Sequence, residues 1–189
     1  MLFRSLILSL ALAVLAVGFT GCTDAAEVAV LETKYGRIVY EFLPEYAPKH
    51  VEAFKAMIRN GDFDGTKFHR IIRGKIIQGG DPNSKDDDPS DDGLGQPGQA
   101  TIPAEFSTEI KHTRGIVSAA RKGDNKDSAT SQFFICVSSQ PTWDGQYTIF
   151  GRVIEGQEIV NGIPLRDPQN PADLAIPGEP ILGVTISEQ

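Results

Sequence analysis

Short apolar runs, each ended by glycine, proline, asparagine or aspartate, fill the chain from Phe63 onward. The runs are 68–72, 76–78, 115–120, 132–137, 148–154 and 181–187. They are too short for most helices and rich in β-branched and aromatic residues, so they predict strands. Many short strands separated by turn residues are typical of a β-sandwich or a β-barrel. The fold is therefore expected to be mainly β.

The part of the chain before these runs predicts a hairpin followed by a helix. Two β-rich segments, 28–33 and 37–43, flank a short turn that contains glycine. A run with apolar residues at helical spacing begins at Pro48 and stops before Asn60, which predicts one amphipathic helix. A second, weaker helical pattern covers 157–163.

The first residues have the three-part layout of a secretory signal. Arg4 precedes an uncharged apolar run from Leu6 to Val17, and the segment 18–22, Gly-Phe-Thr-Gly-Cys, follows it. This run is shorter than the roughly 20 residues that a helix needs to span the hydrocarbon core of a bilayer. We therefore expect residues 1–21 to be removed as a signal peptide.

Small residues that end at a cysteine resemble the signal of bacterial lipoproteins, in which that cysteine is acylated and becomes the new N-terminus. The resemblance predicts lipidation of Cys22, a short tether over 22–27 and an extracytoplasmic protein of the cell envelope. The length of 28–189 suits one domain with a substantial core. Two alternatives stay open: plain secretion with an unmodified Cys22, and an uncleaved membrane anchor.

Charge and cysteine content narrow the partners and the redox chemistry. The chain carries 25 acidic and 18 basic residues, a net charge of −7. This argues against nucleic acid as a partner, because phosphate binding needs clustered lysine and arginine. The second cysteine, Cys136, lies in an apolar run and is predicted to be a small buried hydrophobe without a disulfide partner.

The densest charge run lies in the loop 81–100, with five aspartates over the segment 86–92. A calcium loop is one interpretation. Its closing position would fall on Gln99 rather than on a bidentate glutamate, and no helix signals flank it. A solvated loop tip without a metal ion is the favoured interpretation.

Three motifs carry a family resemblance. They are the segment 68–81, which reads FHRIIRGKIIQGGD, followed by SQFFI at 131–135 and DGQYTIFG at 144–151. In this order and spacing they resemble the cyclophilin-type peptidyl-prolyl isomerases, over about 28–187. The resemblance implies a closed eight-stranded antiparallel β-barrel capped by two α-helices, with a proline site on its outer face. It implies no cofactor and no metal.

Rotation about an X–Pro bond breaks no covalent bond, but it crosses a barrier of ~18–20 kcal/mol because twisting removes amide resonance. A catalyst has only to bind the twisted amide better than the planar one. Arg70 is the predicted donor to this amide, because a guanidinium is planar, stays charged and offers several N–H groups. In the resemblance, Arg70 stands at the arginine to which the family's catalysis is assigned.

The resemblance implies the remaining site residues. Gln78 and Gln132 match two glutamines that hydrogen-bond near the substrate backbone and Arg70, and they complete the predicted catalytic set. The predicted substrate-binding residues are Ile76, Ala120, Arg121, Phe134, Trp143 and Tyr147. Taken singly, each of these would be a solvated polar residue or part of a core.

One departure from the family concerns the wall of the pocket. Lys75 stands where the family has a pocket phenylalanine, and Trp143 stands in the slot of a pocket leucine. The larger indole is expected to restore apolar wall that Lys75 removes.

Alternation along a strand would place Phe68, Arg70 and Ile72 on one face, with His69 and Ile71 on the other. His69 is therefore expected to serve packing or a structural hydrogen bond and is left out of the catalytic set.

The resulting hypothesis is an isomerase that acts on proline-containing segments of unfolded or exported proteins. A monomer that contacts the membrane only through its lipid is expected. A catalytically weak, cyclophilin-like module that binds proline motifs is the main alternative, and an inert envelope lipoprotein is a third. The combination of Arg70, Gln78, Gln132 and Phe134 favours the enzyme over both.

Overall fold

Antiparallel strands dominate the computed structural model, which describes residues 26–173 and 175–189. The elements in chain order are β1 (Glu27–Thr33), β2 (Gly36–Phe42), α1 (Pro48–Arg59), β3 (Lys67–Phe68), β4 (Arg70–Ile72), β5 (Ile76–Gly79), β6 (Ile116–Ala119), β7 (Phe133–Cys136), β8 (Ile149–Glu155), α2 (Gln157–Gly162), β9 (Glu179–Pro180) and β10 (Gly183–Glu188). The predicted hairpin, both helices and the six later strand segments are confirmed.

The predicted signal peptide and Cys22 lie outside the described residues. Within the described ranges, no helix is long and apolar enough to cross a membrane.

Eight strands form one sheet in the order β10-β1-β2-β8-β6-β7-β5-β4, and every neighbouring pair is antiparallel. The helices pack on this sheet, α1 against β8 and β10, and α2 against β2. A mainly β fold with an eight-stranded sheet and two helices is therefore confirmed.

The closed barrel was a wrong prediction, because the sheet is an open, curled half-barrel. Its two edge strands, β4 and β10, pair with no further strand of the sheet in the described ranges. A separate two-stranded ladder forms instead between β3 and β9. Backbone hydrogen bonds from Ile181 N to Thr66 O at 2.8 Å and from Gly65 N to Ile181 O at 3.0 Å continue this pairing beyond Lys67. At the other end, His69 separates β3 from β4.

The sheet carries apolar side chains on both faces. Along β7, Phe133 and Ile135 belong to the main core, which also receives the buried face of α1. The alternate residues, Phe134 and Cys136, belong to a second apolar cluster on the outer face. Burial raises the pKa of the free Cys136 thiol to about 12, with a smaller effect from Asp144. The outer face therefore offers a buried apolar surface on which a site can be built.

The break at His69 corrects the predicted face of Phe68. Phe68 and Ile71 pack together in the main core, whereas Ile72 packs against the outer cluster. Strict alternation fails because the Arg166 side chain donates from Nη1 to the His69 carbonyl, where the chain leaves β3 and begins β4. Arg70 therefore shares the outer face with Ile72 but not with Phe68.

Two long-range contacts fix the ends of the helices. The carboxylate of Glu105 accepts hydrogen bonds from the backbone N–H groups of Lys49 and His50, both at 3.0 Å, and so caps the first turn of α1. Gly156 precedes α2 with φ +83°, and a Cβ there would lie 2.1 Å from the Arg37 carbonyl oxygen. Only glycine fits this close approach.

Candidate active site

Strand register brings the predicted cation, amide and ring together. Arg70 on β4 pairs with Gln78 on β5, and Gln78 pairs with Phe134 on β7. Side chains of directly opposed residues project from the same face of a sheet and contact each other. The three side chains therefore stand in one row on the outer face.

A chain of side-chain hydrogen bonds begins at Arg70. Its Nη1 donates to Gln78 Oε1 at 3.2 Å. Gln78 Nε2 then donates to Gln132 Oε1 at 3.0 Å, and Gln132 Nε2 donates to the Gly93 carbonyl at 3.0 Å. Each glutamine donates once and accepts once, which fixes its orientation. The chain holds one edge of the guanidinium and leaves its other N–H groups able to meet a ligand.

Beside this hydrogen-bond chain lies a cleft of about 290 Å³. Its lining residues are His69, Arg70, Ile76, Gln78, Asp92, Gly93, Leu94, Ala120, Arg121, Phe134, Trp143, Tyr147 and Pro168. Trp143 and Tyr147 both meet the Phe134 ring edge-on, with centroids 5.3 and 5.4 Å away. The cleft thus has an apolar corner of three rings next to a cation, an arrangement typical of ligand sites.

The structure brings the predicted site residues together. All of those within the described residues line the cleft except Gln132. Gln132 instead lines a small adjoining pocket of about 60 Å³, which shares Gln78, Gly93, Ala120 and Arg121 with the cleft. Cys22, the predicted lipidation site, lies outside the described residues.

The aromatic wall does not depend on position 75. Lys75 is exposed and is not among the residues that line the cleft. Trp143 and Tyr147 line the cleft instead, and the expected role of Trp143 in binding proline stays a prediction. Arg121 stacks over the Tyr147 ring at 4.7 Å and donates from Nε to the Gln146 carbonyl at 3.0 Å. The cation–π contact holds the Tyr147 ring at the rim of the cleft.

Sequence reasoning missed the contribution of the acidic loop. Lys85 to Asp88 are exposed, as predicted for a solvated tip. Asp92, however, lines the cleft, and its side chain is only 3% exposed because it pairs with Arg166 at 3.2 Å. No local signal in a single sequence distinguishes Asp92 from its exposed neighbours. Within the described ranges, no group of three or more potential metal-ligating side chains is present.

A buried histidine supports the three-ring corner from behind. The His112 ring lies 6.2 Å from Phe134 and 6.4 Å from Trp143, and its Nδ1 is 3.1 Å from Asp144 Oδ1. Burial lowers the pKa of His112, although Asp144 opposes this. Burial alone would raise the pKa of Asp144, but hydrogen bonds from His112 outweigh it and lower that pKa. His112 therefore holds the residue that follows Trp143 in the chain.

His69 lines the cleft without hydrogen-bonding through its ring. Burial lowers the pKa of His69 to about 4, and both ring nitrogens lack a hydrogen-bond partner in the described part of the chain. Because its pKa is lowered, the ring is neutral near pH 7, and it packs in the wall of the cleft.

Comparison with known proteins gives one consistent result. A family model described as "Cyclophilin type peptidyl-prolyl cis-trans isomerase/CLD" matches residues 28–181. A "Probable peptidyl-prolyl cis-trans isomerase" of Brucella abortus is 38% identical over 157 residues, which cover 81% of this chain and 79% of the relative. Peptidyl-prolyl cis-trans isomerase CYP18-1 of Arabidopsis thaliana is 40% identical over 136 residues, covering 69% and 78%.

Solved structures agree with the sequence relatives. A cyclophilin-type peptidyl-prolyl cis-trans isomerase of Cryptosporidium parvum has a TM-score of 0.73 and 32% identity, covering 87% of this chain and 99% of that chain. The same protein was also crystallised in the presence of the dipeptide Ala-Pro, with a TM-score of 0.72, 30% identity, and coverage of 86% and 99%. The fold described above is therefore cyclophilin-like.

Proposed function

This chain belongs to the cyclophilin-type peptidyl-prolyl cis-trans isomerase family and is a peptidyl-prolyl cis-trans isomerase; from that premise we propose how its cleft performs the rotation. Arg70 acts on the twisted amide, and the three-ring corner holds the proline. The observation that carries the proposal is the register of Arg70, Gln78 and Phe134, which stand in one row beside the cleft.

The apolar corner selects the substrate. The proline ring lies against Phe134, with Trp143 and Tyr147 as walls, and burial of its methylene groups provides binding free energy. The substrate class is a polypeptide segment that contains proline, in an unfolded or exported protein. The Cryptosporidium relative crystallised in the presence of Ala-Pro supports this class of ligand.

The cation favours the twisted amide. As the C–N bond rotates, resonance is lost and the proline nitrogen regains a lone pair that can accept a hydrogen bond. The guanidinium of Arg70 donates to this nitrogen or to the carbonyl oxygen more strongly in the twisted than in the planar state, which lowers the barrier. Gln78 and Gln132 keep the guanidinium in place through the hydrogen bonds of 3.2 and 3.0 Å.

Replacement of Arg70 tests the role of the cation. Arg70→Ala is expected to lower kcat/KM by more than about tenfold, which corresponds to ~1.4 kcal/mol of transition-state stabilisation, with an unchanged far-UV spectrum. The assay is protease-coupled isomerisation of a proline peptide. Arg152→Ala is the matched control, because Arg152 is an exposed arginine that also pairs with another side chain, Glu41, at 3.4 Å. Activity in Arg70→Ala within twofold of the control would overturn the assignment.

The position of Lys75 weighs against the proline-binding alternative. Lys75, which replaces a pocket phenylalanine, makes a weak binding module plausible, but this lysine is exposed and does not line the cleft. If the wild type failed to exceed the spontaneous rate, that alternative would return.

The proposed location is the cell envelope, with a lipid on Cys22 and a monomeric domain. The support lies in the sequence: Thr20 and Gly21, both small, directly precede Cys22, which stands shortly before the start of β1 at Glu27. Cys22→Ser removes the thiol that would carry the lipid, so it is expected to abolish the incorporation of labelled fatty acid. Partition into membranes should be lost as well, because lasting attachment needs two or more acyl chains. Cys136→Ser is the control, since that thiol is buried in β7. Wild-type protein recovered unlabelled from the soluble fraction would favour plain secretion.

A further inference from the structure

Arg166 lies buried in the segment between α2 and β9, yet it contacts both neighbours of Arg70. Its main chain pairs with Ile71 through two hydrogen bonds, from Ile71 N to Arg166 O at 2.6 Å and from Arg166 N to Ile71 O at 3.1 Å. Its side chain donates from Nη1 to the carbonyl of His69. The residue that precedes Arg70 and the residue that follows it are therefore both held by Arg166.

The partner of Arg166 lies at the other end of the hydrogen-bond chain. Asp92 Oδ2 is 3.2 Å from Arg166 Nη2, and the two side chains are 3% and 2% exposed. The next residue, Gly93, accepts the last hydrogen bond of the chain from Gln132 Nε2. Gly93 has φ +87°, and a Cβ there would lie 3.3 Å from the His69 ring. The ion pair thus connects two parts of the site. One is the loop whose Gly93 carbonyl binds Gln132, and the other is the strand β4, which contains Arg70.

We propose that Asp92 and Arg166 are positioning residues, which hold both ends of the Arg70–Gln78–Gln132 chain so that the guanidinium stands where the twisted amide needs it. The inference rests on the role proposed above for Arg70. Position matters in such a site, because a displacement of about 1 Å can lower the rate by about 10²-fold. Both act through other residues: Arg166 through the main chain on either side of Arg70, and Asp92 through the adjoining Gly93, whose carbonyl accepts from Gln132.

A stabilising role alone does not explain the location of this pair. Desolvation offsets much of the attraction in a buried ion pair, so apolar residues would stabilise the fold at least as well. The other arginine–carboxylate pairs in the described ranges lie at the surface, as with Arg37 and Glu155, whose side chains are 55% and 54% exposed. Among the described residues, the one buried arginine–carboxylate pair stands beside the cleft.

Two variants separate positioning from stability. Asp92→Asn keeps the shape of the side chain but removes its charge, and Arg166→Lys keeps the charge but cannot bond His69 and Asp92 together. Both are expected to lower kcat for a proline peptide by about tenfold or more with KM within about twofold, at a temperature where urea titration shows the native state. If Arg166→Lys fails to fold, Asp92→Asn carries the test.

Two controls calibrate the result. Val51→Ala removes fully buried apolar volume from α1, away from the cleft, and is expected to lower stability without changing kcat. Arg37→Lys alters the exposed pair and is expected to change neither. If Asp92→Asn and Arg166→Lys lose stability as Val51→Ala does and keep kcat within twofold of wild type, the proposal is overturned.

A readout without turnover keeps this inference separate from the role of Arg70. In ¹⁵N-labelled protein, the side-chain amide signals of Gln78 and Gln132 are expected to shift and broaden in Asp92→Asn but not in Arg37→Lys. Unmoved amide signals would overturn the positioning role even if activity fell. Full activity in Arg70→Ala would instead refute the function proposed for the guanidinium. In that case the amide signals of Gln78 and Gln132 would still show whether the Asp92–Arg166 pair holds the hydrogen-bond chain in place.

Discussion

Acidification should destabilise this protein through His69. Its side chain is 2% exposed, and burial lowers its pKa to about 4, opposed by Asp81 and assisted by the charges of Arg166 and Arg70. The unfolded chain, with a histidine pKa of about 6.5, takes up a proton in the range where the folded state does not. Because the unfolded state binds more protons between about pH 6.5 and pH 4, stability rises with pH in this window and falls on acidification.

The magnitude follows from the two pKa values. The full difference corresponds to roughly 3 kcal/mol of unfolding free energy, of which about 2 kcal/mol is lost between pH 7 and pH 5. Burial also lowers the pKa of His50 and His112, so both act in the same direction. Burial raises the pKa of Asp92, which acts in the opposite direction at the acidic end. The contributions of His50, His112 and Asp92 cancel when the pH dependence of wild type is compared with that of a variant that lacks only His69.

The assay is urea unfolding of wild type and His69→Gln at pH 7 and pH 5, followed by circular dichroism. The quantity compared is the loss of unfolding free energy between the two pH values, which is expected to be about 2 kcal/mol smaller in the variant. Val51→Ala is the control, because a cavity in the core should lower stability equally at both pH values. An unchanged pH dependence in His69→Gln would refute a neutral, buried His69.

Two further predictions concern the cleft and the second helix. The fluorescence of Trp143, the single tryptophan of the chain, is expected to change saturably when a proline peptide binds. The variant Trp143→Ala should weaken peptide binding more than it destabilises the fold. Unchanged emission at saturating peptide, with turnover confirmed in the same sample, would exclude Trp143 from the binding site. Gly156→Ala should destabilise the protein by at least about 2 kcal/mol, because of its positive φ and the Arg37 carbonyl. Gly162→Ala in the same helix, with open space around the new methyl group, should be neutral or slightly stabilising; equal unfolding midpoints would contradict the close approach at Gly156.

Elements with local signals were predictable. The hairpin, α1 from Pro48 and the outer-face position of Phe134 follow from propensity, from the start and stop residues, or from the family motifs. These features depend on neighbours close in sequence or on motif residues that the chain retains. The sequence therefore predicts most of the sheet and, through the family motifs, part of the lining of the cleft.

Features that depend on long-range contacts were not predictable. Strand alternation assigned Phe68 to the face of Arg70, because nothing near His69 indicates that Arg166 bonds to its carbonyl. The same arginine pairs with Asp92, which sequence alone grouped with the solvated aspartates. The separate ladder of β3 depends on β9, whose two residues, Glu179 and Pro180, carry no strand signal. In each case the partner is distant in sequence, and a single sequence holds no record of it.

The pairing of β1 with β10 joins the two ends of the described chain, with Glu27 opposite Glu188. The strand β1 therefore finds one of its two neighbours only when the residues of β10 have left the ribosome. Until then the apolar residues Val28 to Leu31, which are buried in the folded protein, lack the cover of β10. Contacts of such long sequence separation slow folding and prolong exposure to aggregation. This peptidyl-prolyl isomerase is thus expected to complete its own sheet only after β10 has been synthesised.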